Sequence, residues 1–246
     1  MRKFGLIGYP LSHSFSPAYF AEKFEREHIF DCFYDLYPIE NISDFANLII
    51  SNPGLEGINV TIPYKKSVIS FLNEKTEAVE KIGACNCIKI KNGSLTGYNT
   101  DVIGFEKSLS SKLTGSHTKA LILGTGGSAA AVEYVLIKLG IHYSFVSRNS
   151  ETGKRSLSYN ELTKEILGQH KLIINTTPLG MFPNVDKCPG IPYEFLTTDH
   201  YLFDLVYNPV ETLFLKKAAE MGAITKNGSD MLVIQAEESW KIWNEI

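Results

Sequence analysis

Short apolar runs alternate with amphipathic stretches along this chain, the pattern of an α/β protein. Residues 4–9, the alternating segment 31–39 and the run 57–62 read as strands, with a helix opening at 16 and another over 43–50. Ser16 before Pro17 reads as a hydroxyl N-cap with proline at the first helical position. Within 57–62 a period of two puts Asn59 and Thr61 on one face and Val60 and Ile62 on the other. The Asn/Thr face is therefore expected to look to solvent or a cleft. Pro63 ends that strand, and Lys65 falls at the expected start of a helix reaching Leu72. Residues 82–98 read as a hairpin with its turn at Asn92-Gly93. Alternation there sends Cys85 and Cys87 to one face and Asn86 to the other. A helix is expected over 102–113, with Asp101 as its N-cap.

The second half is organised around one stretch. An apolar run, 120–123, stops at Gly124-Thr125-Gly126-Gly127-Ser128-Ala129, and a helical pattern follows at once to Leu139, with Gly140 as its cap. Strand, glycine turn and helix in that order make the opening unit of a dinucleotide-binding fold. Gly124 suits the tight turn, Gly126 and Gly127 allow backbone amides to approach a pyrophosphate, and Ala129 lets the helix pack on its strand. Further strands at 142–146, 172–181 and 201–207 extend a parallel sheet, followed by a helix over 211–221 and a last helix over 229–243. After Val146, Ser147-Arg148-Asn149 stands where an acidic residue would mark NAD. A guanidinium with small polar neighbours suits a 2′-phosphate and so NADP, while Glu151 keeps NAD as a minority reading.

Bulk properties narrow the classes. With 44% apolar and 21% charged residues the chain reads as globular, and a net charge of −3 argues against nucleic-acid or anionic-membrane partners. Residues 1–8 run straight into a strand, so no secretory leader is expected. No run approaches the roughly 20 apolar residues of a membrane span. Four scattered cysteines suit a reducing cytoplasm, and Cys85-x-Cys87 lacks metal-ligand spacing, so no metal is expected. By position alone Lys65 is a solvated lysine, Asp101 a cap and Gln235 a helical surface residue.

Seven blocks in order point to other roles for these three: Ser12-His-Ser-Phe-Ser-Pro17, Asn59-Val-Thr-Ile-Pro-Tyr-Lys65, Gly83-Ala-Cys-Asn86, Gly97-Tyr-Asn-Thr-Asp101, the Gly124 turn, Asn175-Thr-Thr-Pro-Leu-Gly-Met181 and Met231-Leu-Val-Ile-Gln-Ala236. Together they resemble the shikimate dehydrogenase family over nearly the whole chain. The resemblance implies an α/β substrate domain over 1–101, completed by 229–246, and a Rossmann-type doubly wound NADP-binding domain over 102–228, with a cleft between them. It implies reversible NADPH-dependent reduction of 3-dehydroshikimate to shikimate, serving chorismate and aromatic amino-acid synthesis. Lys65 and Asp101 would be the catalytic pair. Ser14 and Ser16 would hold the substrate carboxylate, and Thr61, Lys65, Asn86, Asp101, Tyr207 and Gln235 the rest of the substrate. Gly124, Thr125, Gly126, Gly127, Ser128, Ala129, Ser147, Arg148, Asn149, Thr176 and Gly228 would hold the cofactor. Three other readings stand beside this one: a quinate/shikimate dehydrogenase with relaxed cofactor use, a non-catalytic sensor of shikimate-like metabolites, and another two-domain dehydrogenase. Presence of both Lys65 and Asp101 argues against the sensor, and the Ser-x-Ser-Pro block against the last. The protein is expected to act as a monomer or homodimer.

Overall fold

A computed structural model describes residues 1–12, 14–148 and 156–245. The chain divides into two compact units, one of Met1–Ile103 with Leu232–Ile246 and the other of Gly104–Met231.

The first unit is built on a mixed sheet. Its strands are β1 (Arg2–Gly8), β2 (Cys32–Pro38), β3 (Leu55–Val60), β4 (Glu74–Lys75), β5 (Cys87–Lys91) and β6 (Ser94–Tyr98), in the order β2-β1-β3-β5-β6-β4. Its helices are α1 (Ser16–Arg26), α2 (Phe45–Ser51) and α3 (Glu77–Ile82). Two helices pass between the units, α4 (Thr100–Ser110) and the C-terminal α8 (Ser229–Asn244). The β5–β6 hairpin turns at Asn92 and Gly93, with φ of 52° and 79°, the left-handed pair that two-residue hairpins require.

Strand alternation loads both faces of this sheet. Ile7, Ile58, Val60 and Ile88 pack with Phe45 and Val79 of α2 and α3. Phe4 and Cys87 pack on the other face with Phe20 and Phe24 of α1 and Ala236, Trp240 and Trp243 of α8. Cys85 belongs to the first core and Cys87 to the second, contrary to the shared face expected of them. The reason is local: the strand begins only at Cys87, so the period of two does not reach back to Cys85. Burial pushes the Cys85 thiol up to about 11, and Cys87 is shifted the same way, so neither is a thiolate at neutral pH.

The second unit is a parallel sheet of β7 (Lys119–Leu123), β8 (His142–Ser147), β9 (Ser156–Ser158), β10 (Leu172–Asn175), β11 (Tyr201–Asp204) and β12 (Ile224–Asn227). Helices α5 (Gly127–Lys138), α6 (Lys164–Gln169) and α7 (Leu213–Glu220) connect them. The order β12-β11-β10-β7-β8-β9 runs outward from β7 to β9 and then restarts at β10 on the other side. That makes the carboxyl ends of β7 and β10 the switch point, where doubly wound sheets take ligands. The two-unit α/β architecture agrees with the sequence reading; the short strands β4, β9 and β12 had no periodic signal to announce them. Among the described residues no helix is long and apolar enough to cross a membrane.

Gly57 shows how tightly α8 is seated. A Cβ there would lie 2.4 Å from Trp243 ring atoms, whose Nε1 donates to Ile88 O at 3.0 Å. Gly57→Ala should therefore destabilise the protein by about 1–3 kcal/mol through overpacking. Urea unfolding followed by circular dichroism measures it, and an unchanged midpoint would mean that Trp243 moves freely.

Candidate active site

The Lys65 segment is anchored on both sides before any ligand is considered. Beyond β3, Thr61 N donates to Ile7 O at 2.9 Å and Tyr64 N to Thr61 O at 2.9 Å. The buried Tyr64 sends its hydroxyl to Ile39 O at 2.6 Å, and Lys65 O accepts Cys85 N at 2.7 Å. From this braced turn Lys65 Nζ reaches Asp101 Oδ2 at 2.7 Å, each side chain about one-third exposed, at 34% and 32%. Lys65 does not open an α-helix as expected: a 3-10 turn, Ser67–Phe71, follows it instead.

Asp101 is not a cap either. Asn99 Oδ1 accepts Val102 N at 3.2 Å and Asn99 Nδ2 donates to Ala84 O at 2.9 Å, so Asn99 caps α4. With that role taken, the Asp101 carboxylate is left for Lys65.

Beside the pair lies a buried amide network. Asn86 Oδ1 accepts Thr100 N at 2.6 Å, while its Nδ2 donates to Thr100 Oγ1 at 3.1 Å and to Gln235 Oε1 at 3.3 Å. Asn59 Oδ1 accepts the Tyr34 hydroxyl at 2.9 Å, and its Nδ2 donates to Ser239 Oγ at 2.9 Å and Asn86 O at 3.3 Å. Burial pushes the Tyr34 phenol up, which keeps it a donor. Asn59 was expected to face solvent or a cleft, but at 6% exposure it is buried. Its face is covered by α8, which arrives from 180 residues away and leaves no local trace in the sequence.

Ser14 is half-buried and donates its hydroxyl to Leu11 O at 3.0 Å. Ser16 is not the N-cap of α1: Phe15 holds that position without a side-chain cap, Ser16 is the buried first helical residue, and Pro17 is second. The structure thus joins Lys65 with Asp101 and Asn86 with Gln235, and adds Asn59, Thr100, Tyr34 and Ser239, which were not among the expected site residues. Tyr207, 46% exposed, lies in the second unit beyond β11.

The switch point of the second unit opens into a cleft of about 670 Å³. Gly124, Thr125, Gly126, Ser147, Arg148 and Thr176 line it, six of the expected cofactor residues. Tyr159, Thr177, Pro178 and Leu179 line it as well, beyond the residues expected there. Gly124 has φ of 103°, and Cβ atoms at Gly126 or Gly127 would meet nothing within 4 Å, so backbone amides at the start of α5 are open to an anion. Gly127 and Ser128 are exposed in the first turn of α5, and Ala129 is buried against the sheet. Gly228 is required for packing, because a Cβ there would lie 2.7 Å from Leu205 O. Asn149 lies outside the described residues. Glycines, a helix N-terminus and an exposed arginine fit a dinucleotide with an extra phosphate.

Asp204, at the end of β11, is fully buried. Burial raises it to about 6, against hydrogen bonds from Thr212, Val206 and Asn175 that pull it down.

A family model described as the shikimate dehydrogenase substrate binding domain matches residues 6–88. An NADP(+) shikimate dehydrogenase of Methanococcus vannielii is 37% identical over 97% of this chain and 90% of its own. The crystal structure of a chorismate mutase/shikimate 5-dehydrogenase fusion protein from Clostridium acetobutylicum is 38% identical with a TM-score of 0.86, covering all of this chain and 91% of the other. Shikimate 5-dehydrogenase from Thermus thermophilus, solved with NADP(H) and shikimate, is 27% identical with a TM-score of 0.86, covering all of this chain and 94% of the other.

Asp204 gives a pH signature. Its folded value lies above the ordinary 3.8, so the folded protein holds a proton that the unfolded chain releases. The stabilisation from that proton is complete below about pH 4 and is lost as pH rises through about 6. Between pH 5 and pH 7.5 the stability of Asp204→Asn relative to wild type should therefore improve by about 1 kcal/mol. Urea unfolding at the two pH values reads this, and a constant difference would mean that Asp204 titrates normally.

Proposed function

The chain belongs to the shikimate dehydrogenase family, and from that premise we propose that it interconverts 3-dehydroshikimate and shikimate with NADP(H) as cofactor. The observation that carries this reading is the 2.7 Å contact between Lys65 Nζ and Asp101 Oδ2 on a braced turn. Reducing a ketone to an alcohol adds a hydride to carbon and a proton to oxygen; NADPH supplies the hydride. Lys65 holds the proton at that oxygen and returns or removes it according to direction. Asp101 accepts a hydrogen bond from the ammonium and so keeps Nζ aimed. Asn86 and Gln235 hold ring hydroxyls together with Thr61, and the hydroxyls of Ser14 and Ser16 hold the carboxylate. In the second unit the amides at Gly126 and Gly127 hold the pyrophosphate, and Arg148 pairs with the 2′-phosphate. A cytoplasmic location suits a protein whose four cysteines are all free.

Initial rates with shikimate and quinate, each with NADP+ and NAD+, test the assignment. The highest kcat/KM is expected for shikimate with NADP+; preference for quinate or NAD+, or no turnover, would overturn it. Lys65→Ala should lower kcat by about 10²-fold or more with a much smaller change in shikimate KM, because the lost proton transfer matters in the transition state. Lys65→Met, similar in length but with no proton, should be nearly as damaging. A surviving kcat with a raised KM would make Lys65 a binding cation only. Arg148→Leu should raise KM for NADP+ while leaving NAD+ kinetics nearly unchanged, and equal losses with both cofactors would make Arg148 structural.

A further inference from the structure

Among its described residues the second unit buries one carboxylate that this chemistry does not use. Asp204 ends β11 directly opposite Asn175, which ends β10, and both are fully buried. A carboxylate at that depth is costly unless its oxygens are met by donors. Three donors meet them. Asp204 Oδ1 accepts Asn175 Nδ2 at 2.9 Å and Val206 N at 3.0 Å, and Oδ2 accepts Thr212 Oγ1 at 2.6 Å.

An ionised carboxylate only accepts, so it dictates which end of the Asn175 amide faces it. With Nδ2 turned to Asp204, Asn175 Oδ1 is turned to Thr177. There it accepts both Thr177 N, at 3.0 Å, and Thr177 Oγ1, at 2.7 Å. Thr177 Oγ1 in turn accepts Leu179 N at 3.3 Å. The Thr177 methyl stands 2.9 Å from the place where a Cβ on Gly124 would be, so it occupies the space beside the glycine turn that a side chain would need. Gly124, Thr177 and Leu179 all line the cleft.

We propose that Asp204 is a positioning residue of the nucleotide cleft, acting through Asn175 to hold Thr177, the wall as far as Leu179 and the Gly124 turn in the geometry that accepts the dinucleotide. This rests on the reading of that cleft as the NADP site. A structural role alone is the competing account, since Asp204 also holds Thr212, whose Oγ1 caps α7 by accepting Leu215 N at 3.4 Å. The two accounts differ in what they move. A structural role changes stability; the positioning role changes dinucleotide affinity through one named path.

The test is calorimetric titration of the purified protein with NADP+ in the absence of substrate. Asp204→Ala and Asn175→Ala should each weaken binding by about tenfold, the scale of one buried hydrogen-bond network partner lost. The double variant should bind no more than about twofold more weakly than the weaker single variant, because both changes cut the same path. Asp204→Asn should stay within about twofold of wild type. Its Oδ1 still accepts from Asn175 and Val206, and its Nδ2 faces a threonine hydroxyl that can accept. KM for shikimate should hold in all four. Should Asp204→Ala not fold, as judged by circular dichroism, Asn175→Ala decides alone. Folded single variants that bind NADP+ as tightly as wild type, or losses that simply add in the double variant, would overturn the proposal. Failure of the wild type to bind NADP+ would instead overturn the reading of the cleft, and the positioning role with it.

Discussion

Everything in the first unit depends on α8 returning to a sheet whose strands were all laid down before residue 99. Phe4, Phe20, Trp240 and Trp243 form a continuous aromatic cluster, with Phe4 stacked on Trp243 at 4.9 Å and edge-on to Trp240 at 5.3 Å. Burying a tryptophan removes about 150–250 Å² from water, worth about 4–6 kcal/mol at 25 cal/mol per Å². No hydrogen bond in the unit approaches that scale, since each contributes about 1 kcal/mol net. Apolar burial therefore supplies the adhesion.

Polar contacts supply the register instead. Sliding α8 by one turn would cost each of the buried Asn59 and Asn86 amides one bond, that of Asn59 to Ser239 and that of Asn86 to Gln235. Each lost bond costs about 1 kcal/mol, so these two contacts favour the correct register by about 2 kcal/mol. Lys23 adds a charged version of the same constraint. At 3% exposure it meets Glu27 at 2.9 Å and Glu237 of α8 at 3.0 Å, and Tyr19 also donates to Glu237. Gln235 is thereby fixed beside Asn86, although 149 residues separate them.

The parts of this architecture that were legible in sequence are those whose causes are local. The glycine turn after β7, the Asn92-Gly93 hairpin and the cap at Gly140, with φ of 69°, each follow from residues within a few positions. The errors share a different cause. Asn59 was expected to face solvent or a cleft because α8 was out of sight, and Cys85 and Cys87 looked equivalent because the start of β5 could not be seen. Asp101 looked like a cap because Asn99, two residues earlier, offers the same chemistry and is selected by its second bond to Ala84. Thr177 and Tyr159 were missed because lining a cleft leaves no periodicity in the chain. Lys65, Asp101 and Gln235 were nominated through ordered blocks, not through their local setting, which favours surface roles for all three.

Energetics separates the Lys65–Asp101 pair from the buried ion pairs of Lys23. An ion pair about one-third exposed contributes about 0–1 kcal/mol and is weakened by salt, so stability does not explain it. Yet the backbone that carries it is more heavily braced than a surface pair needs: Lys65 O is held by Cys85 N, Tyr64 by Ile39 O, and α4 is capped independently by Asn99. Lys23, by contrast, is buried and welded to α1 and α8, an arrangement that holds helices and leaves its ammonium no room to act. Rigid backbone beneath a partly exposed, hydrogen-bonded ammonium is the opposite arrangement. It fixes where the proton stands while leaving the nitrogen reachable, and proton transfer at a bound substrate requires both.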